Sequence, residues 1–371
     1  MTYEPIFKLP YANIFTTDLF VPGYKTFDPI VIIKNGKWEF FLPKEILEKL
    51  SKEGFQMALN EDLFKDFEKN YKYFLEKTHE LRKIKLSNLS KEEFISFLRE
   101  FKKFVNSFFY TYKKTEFFYF NKVENELDSY TKKTNHSFEE VLSKKIDLSS
   151  WPEKERKIAE YIISMQHLKF KYRKVLNDLA LGKNSLLSKV LEQVIMRTNR
   201  KDSTSMTVSE VIRLINGEEI RDCLDRHVYS FVEWDDENQR LIILSGGEAY
   251  RKIRGIEKEM PTQEVIGTPA SKGYVRGKVR KIPFSMNPEE YLHKFQKGEI
   301  LVSTTTGPEM VRIMEKATAI VTDEGGLMSH AAIVSREFGI PCVVGTKYAT
   351  EIFKDGEEIE VNATNGLVRK I

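Results

Sequence analysis

Glycine is spread so unevenly along this 371-residue chain that two different kinds of fold are implied. Residues 1–216 contain four glycines (Gly23, Gly36, Gly54 and Gly182), while residues 217–371 contain fifteen. Glycine serves where the backbone turns tightly or passes close to another group. The first stretch is therefore expected to consist mostly of long helices, and the last to be a compact, turn-rich fold. The length suits two or three domains. The pattern divides into an N-terminal segment, 1–43, a helical region, 44–261, and a final domain, 262–371.

Local signals fill in this outline. IVIIKNGKWEFFL reads as a hairpin turning at Asn35-Gly36, a pair suited to a type I′ turn. Helices are expected over about 44–54, 60–84, 90–130, 137–146, 152–197 and 207–216. Ser90 and Glu93 form a capping box, with Leu89 and Phe94 placed as a hydrophobic staple. Ser137–Glu140 and Thr207–Glu210 repeat the capping-box spacing. Phe94, Phe97, Phe101, Phe104 and Phe108 recur at steps of three and four, which places five rings on one helix stripe. Such a stripe is either a core seam or the wall of an apolar pocket. RHVYSFVEWDDENQRLIILS reads as a second hairpin turning at Asp235–Gln239, and Gly246–Gln263 as a short helix followed by a linker.

Composition excludes several function classes. The net charge is only +4, and lysines alternate with glutamates as on solvated helix faces, which argues against nucleic-acid binding. The N-terminus lacks a basic stretch followed by an apolar run, and no segment reaches the ~18 apolar residues of a membrane span. Cys223 and Cys342 are the only cysteines, so neither a disulfide framework nor a zinc spacing is present. A cytoplasmic location is expected. The histidines form no metal-binding pattern, so no metal site is expected in this chain. No G-x-x-x-x-G-K-[ST] loop occurs.

From Val265 onward, short strands alternate with short helices, an α/β pattern. VIGTPASKGYVRGKVRKI reads as strands interrupted at Gly267, Gly273 and Gly277. At the centre stands TDEGGLMSHAAIV. A buried strand, AIVT, ends at Gly325-Gly326, and Ser329 is placed to cap a helix that stops at Gly339. His330 therefore belongs in the first turn of a helix. A helix N-terminus presents unpaired amides and a positive dipole end, which stabilise a phosphate and favour a neutral imidazole. The glycine amides and the Ser329 hydroxyl are suited to donate to phosphate oxygens. Asp323 and Glu324 are expected to point away from such an anion, or to act through a metal or a proton.

TDEGGLMSHAAIVSREFGIPCVVGT resembles the active-site signature of the mobile domain of phosphoenolpyruvate-utilising enzymes, the pyruvate phosphate dikinase-like family. GTPASKGYVRGKVR and ILVSTTTGPEM resemble the same family in the same order, so the likeness spans about 265–371. It implies a swivelling β/β/α phosphohistidine domain in which His330 carries a phosphoryl group, supported by Gly325, Gly326 and Ser329. Thr305, Thr306 and Arg336 are further supporting candidates; Arg336 reads equally well as a surface helix residue. The resulting fold class is multidomain α plus α/β, with a mostly helical N-terminal region carrying small β-hairpins.

Members of that family need an ATP-grasp domain to load the histidine and a second domain to unload it. Neither pattern is found here. Residues 130–260 resemble, more loosely, the helical segment before the mobile domain in rifampin phosphotransferase-like and phosphoenolpyruvate synthase-like proteins. The resemblance thus implies one component of a split phosphotransferase. A separate ATP-grasp partner would bring ATP and Mg2+, and the helical domain would hold a small-molecule acceptor. A homo-oligomer is compatible with the sequence. The alternative is a non-catalytic module in which phosphate on His330 changes the affinity for a partner.

Overall fold

The computed structural model describes residues 3–9, 13–34, 37–136, 138–142, 146–182, 184–221, 223, 225–254, 256, 263–282 and 291–371. The chain separates into two compact units, Met1–Glu257 and Lys258–Ile371.

In the first unit, β1 (Tyr3–Leu9), β2 (Ile30–Lys34), β3 (Lys37–Pro43), β4 (Tyr229–Asp235) and β5 (Arg240–Ser245) form an antiparallel sheet in the order β1-β3-β2-β4-β5. Lys34 pairs with Lys37, the register a two-residue hairpin loop requires. The turn expected at Asn35-Gly36 itself lies outside the described residues. Ile32 pairs with Phe231, so the N-terminal segment and the second hairpin share one sheet. The sequence reading kept 1–43 apart because strand pairing over so long a separation leaves no local trace.

The helical body comprises α1 (Ile14–Phe20), α2 (Lys44–Leu59), α3 (Glu61–Arg82), α4 (Lys91–Tyr112), α5 (Phe117–Lys133), α6 (Phe138–Leu142), α7 (Glu153–Leu176), α8 (Leu186–Thr198), α9 (Val208–Ile215), α10 (Asp225–Val228) and α11 (Gly246–Arg254). Two capping boxes start helices as expected: Ser90 with Glu93 at α4, and Thr207 with Glu210 at α9. Ser137 lies outside the described residues. Two expected helices are each split. The run over 90–130 breaks at Lys113–Glu116, where the Thr115 hydroxyl donates to the Tyr112 carbonyl at 2.8 Å and Glu116 is extended. The run over 152–197 widens into a π-turn at Asn177–Leu181 and ends at Gly182, and Ser185 caps the next helix.

The phenylalanine stripe is a core seam. All five rings are buried. Phe97 stacks on Phe101 at 5.7 Å; Phe104 and Phe108 meet Phe74 of α3 at 5.8 and 5.3 Å, and Phe108 lies 6.2 Å from Tyr172 of α7. A cleft of about 530 Å³ opens instead between α3, α6 and α7. Phe64, Glu68, Leu142, Ser164, His167 and Lys171 are among its lining residues, and no stripe residue is.

The second unit is organised by one eight-stranded sheet. Its strands are β6 (Glu264–Ile266), β7 (Thr268–Ser271), β8 (Tyr274–Lys281), β9 (Ile300–Ser303), β10 (Ala319–Thr322), β11 (Cys342–Val344), β12 (Glu358–Asn362) and β13 (Leu367–Lys370). They lie in the order β6-β13-β12-β8-β9-β10-β11-β7. Strands β8 to β11 are parallel, and the flanking pairs are antiparallel. Gly267 and Gly273 interrupt the strands as expected, whereas Gly277 lies inside β8 and interrupts nothing.

Alternation along the central strands divides the core in two. Leu301, Ile320, Cys342 and Val344 pack with Ile313, Met314, Ala331 and Val334 on the helical side. Ile300, Val302, Ala319, Val321 and Val343 pack with Ile359, Val361 and Val368 of β12 and β13 on the other side. Strands covered on both faces read as continuous apolar runs, which is how ILV, AIV and CVV stand in the sequence. Because β9, β10 and β11 are parallel, the loops leaving their C-terminal ends share one edge of the sheet, the usual location of sites in α/β folds.

Candidate functional site

Three loops meet at that edge: Thr304–Thr306 after β9, Asp323–Ser329 after β10 and Gly345–Tyr348 after β11. The ladder between β9 and β10 runs on into the first two. Asp323 N–H donates to Ser303 O at 3.1 Å and Glu324 N–H to Thr304 O at 2.9 Å. Ser303 Oγ lies 2.6 Å from the Ile282 carbonyl and 2.7 Å from the Thr305 carbonyl. The threonine loop is thereby held against the glycine loop. The third loop is bound to β10 and its extension, with Thr346 N–H donating to Thr322 O at 3.0 Å and Lys347 N–H to Asp323 O at 2.9 Å.

The glycine loop depends on Gly325, whose φ is +116°. A Cβ there would stand 2.8 Å from Ser329 Cβ, so both its backbone angle and its surroundings exclude a side chain. Gly326 O accepts from Ser329 N–H at 2.9 Å, which closes the turn. Ser329 then caps the helix His330–Phe338: its hydroxyl oxygen accepts from Ala332 N–H at 3.3 Å. Gly339, at φ 66°, ends the helix in the left-handed conformation. His330 is the first residue of this nine-residue helix and is half-buried.

Of the two candidate threonines, Thr306 is the one whose side chain meets the histidine. Its hydroxyl oxygen lies 2.9 Å from His330 Nδ1, and the residue is buried. Thr305 contributes its carbonyl to Ser303. Arg336 sits in the last turn of the helix and reaches back along it. Nη2 donates to the Leu327 carbonyl at 2.7 Å and Nη1 to the Ala270 carbonyl at 3.4 Å. These two carbonyl partners make Arg336 a tie between loop and sheet, a role that its sequence position did not indicate.

Asp323, 4% exposed, is committed to the third loop. Its carboxylate accepts from Thr350 N–H at 3.0 Å and from the Thr350 hydroxyl, at the start of the helix Ala349–Ile352. Sequence reasoning missed Thr350, Ser303 and Ala270, because their contributions come from register and loop closure, which no short motif records. Cys342 is buried in β11, where desolvation pushes its thiol up to about 12. Among the described residues, no group of three or more His, Cys, Asp or Glu side chains is gathered as a metal site, and no helix is long and apolar enough to cross a membrane.

Residues 295–366 match the family described as PEP-utilising enzyme, mobile domain. A probable phosphoenolpyruvate synthase of Archaeoglobus fulgidus is 44% identical over 149 residues, covering 37% of this chain and 19% of that protein. The phosphoenolpyruvate synthase of Pyrococcus furiosus is 52% identical over 115 residues, covering 30% of this chain and 14% of that protein. The rifampicin phosphotransferase of Bacillus cereus is 37% identical over 129 residues, covering 34% and 14%. This chain therefore spans less than a fifth of the length of each of these relatives. Within the second unit, residues 295–366 therefore carry the signature of the mobile domain of phosphoenolpyruvate-utilising enzymes.

Proposed function

We propose that this protein is the phosphoryl-carrying component of a phosphotransferase, with His330 as the carrier. The observation that supports this most strongly is the placement of His330: first residue of a glycine-preceded helix, with Nδ1 tied to Thr306 at 2.9 Å. If Nδ1–H donates to the threonine oxygen, the ring's nucleophilic lone pair lies on Nε2. Nε2 attacks the donor's phosphorus in line, the bond from phosphorus to the donor's leaving oxygen breaks, and a phosphohistidine forms. An acceptor oxygen then attacks the same phosphorus, loses its proton to solvent or a base, and the P–N bond breaks to return neutral imidazole. The helix N-terminus and loop amides stabilise the phosphoryl charge in both steps.

The donor in this reading is ATP with Mg2+, bound by a separate ATP-grasp subunit. The acceptor is a small molecule held by the helical unit. The cleft lined by Phe64, Ser164, His167 and Lys171 suits that role: its volume, about 530 Å³, falls in the range of ligand pockets, and it combines aromatic walls with polar groups. The phenylalanine stripe does not line this cleft, since its rings are buried in the core.

The test is incubation with labelled ATP and an ATP-grasp protein encoded beside this one. The expected result is acid-labile, base-stable label that disappears in His330→Ala and passes to a small molecule. Label unaffected by His330→Ala would overturn the reading. Label that stays on His330 and only changes partner affinity would favour a regulatory module instead.

A further inference from the structure

We infer that Arg336 is a positioning residue for the phosphohistidine loop and acts through backbone carbonyls, without itself contacting the phosphoryl group. The inference rests on the carrier reading of His330. Its basis is the reach of one side chain. From the last turn of the His330–Phe338 helix, the guanidinium spans back past the helix start to Leu327 O at 2.7 Å and to Ala270 O at 3.4 Å. Ala270 belongs to β7, which pairs with β11 at the edge of the sheet. One planar group therefore joins the helix, the loop before it and an edge strand.

The Leu327 carbonyl is a sensitive point to hold. A peptide unit is planar, so fixing the C=O of residue 327 also fixes the direction of the Met328 N–H. That amide lies two residues before His330, inside the turn closed by Ser329 N–H on Gly326 O. Gly325, at φ +116°, and its neighbour Gly326 carry no side chain that could hold this stretch of the loop. Without the guanidinium, the 327–328 peptide loses this anchor, and the Met328 amide and the start of the His330 helix lose their fixed aim. A fork of donors is required, because two carbonyls on different elements must be reached at once; a lysine ammonium has the charge but not the rigid fork.

This separates two accounts of the same arginine. If it worked by its positive charge on the phosphoryl group, Arg336→Lys would restore function. If it works by holding two carbonyls, Arg336→Lys fails much as Arg336→Gln does. The experiment uses the full chain and potassium phosphoramidate, a direct phosphoryl donor to histidine that needs no partner. The rate and ring position of labelling on His330 are followed by 31P NMR and peptide mapping, with thermal melting of each variant. Both variants are expected to melt cooperatively, to label His330 about tenfold more slowly than wild type, and to show phosphate on Nδ1 as well as Nε2. Wild-type labelling in Arg336→Lys overturns the inference in favour of a charge effect. Wild-type labelling in both variants, or loss of cooperative melting in both, overturns it in favour of no role or a purely structural one. A wild-type protein that labels His330 no faster than the exposed His79 instead sinks the carrier reading.

Discussion

Thr306, in the loop after β9, and His330, at the start of the helix that follows the neighbouring parallel strand β10, meet with the threonine hydroxyl oxygen 2.9 Å from Nδ1 of the histidine. The contact follows from the β9–β10 ladder continuing past the strand ends, through Asp323 N–H on Ser303 O and Glu324 N–H on Thr304 O. Thr306→Val keeps the shape and removes the hydroxyl. A neutral hydrogen bond of this kind is worth about 1 kcal/mol, so labelling of His330 by phosphoramidate should slow by several-fold and spread to Nδ1. Thr306→Ser should retain most of the wild-type behaviour. Nitrogen NMR of the ring checks the tautomer; unchanged ring shifts and rate in Thr306→Val would contradict the assignment.

Two glycines that bracket the His330 helix should respond differently to alanine. Gly325→Ala meets both an unfavourable φ of +116° and a contact of 2.8 Å with Ser329 Cβ. It should destabilise the protein by about 2 kcal/mol and slow labelling of His330 sharply. Gly339→Ala shares the left-handed backbone, at φ 66°, but faces open space. It should cost about 1 kcal/mol and leave labelling intact. Urea unfolding and the labelling assay, run on both variants, give the comparison. Equal labelling in the two would show that the glycine loop does not position the histidine.

Lys113 provides a pH test in the helical unit. It is 2% exposed, its Nζ donates to the Gly23 carbonyl at 3.2 Å, and it lies 3.8 and 4.0 Å from the ring centroids of Phe27 and Tyr110. Burial pushes the amine down to about 7; Lys114 adds to this and Glu53 opposes it. The unfolded chain therefore binds more protons than the folded one between about pH 7 and the ordinary lysine value of 10.5. Stability contributed by this site should rise with pH across that window and be flat below it. Lys113→Met should abolish the rise. Melting curves of wild type and variant measured from pH 6 to 10 show it as a converging difference; parallel curves would contradict it.

Much of the second unit was legible in the sequence because its signals are local. The Ser329 cap, the Gly339 stop and the Gly325-Gly326 turn each specify backbone geometry within a few residues, and the apolar runs in β9, β10 and β11 mark strands buried on both faces. Thr305 and Thr306 stood out in the sequence only as supporting candidates; that Thr306 meets the His330 ring depends on how the loop closes over Ser303, which no motif records. Arg336 was ambiguous for a related reason: its spacing puts it on the helix, while its carbonyl partners lie in a loop and a distant strand. In the first unit, the helix breaks at Lys113–Glu116 and Asn177–Leu181 carry no proline and were overrun by continuous helical periodicity. The shared sheet of β2 and β4 was beyond any local pattern.

The account stands on His330 being a built phosphoryl carrier and not merely one histidine among six. The most direct measurement compares, within the same molecule, the rates at which phosphoramidate labels each histidine, resolved by peptide mapping. His330 should label at least about tenfold faster than the exposed His79, His136 and His167, at Nε2, with acid-labile and base-stable phosphate that is absent in His330→Ala. Labelling of His330 at or below the rate of those exposed residues would contradict the account.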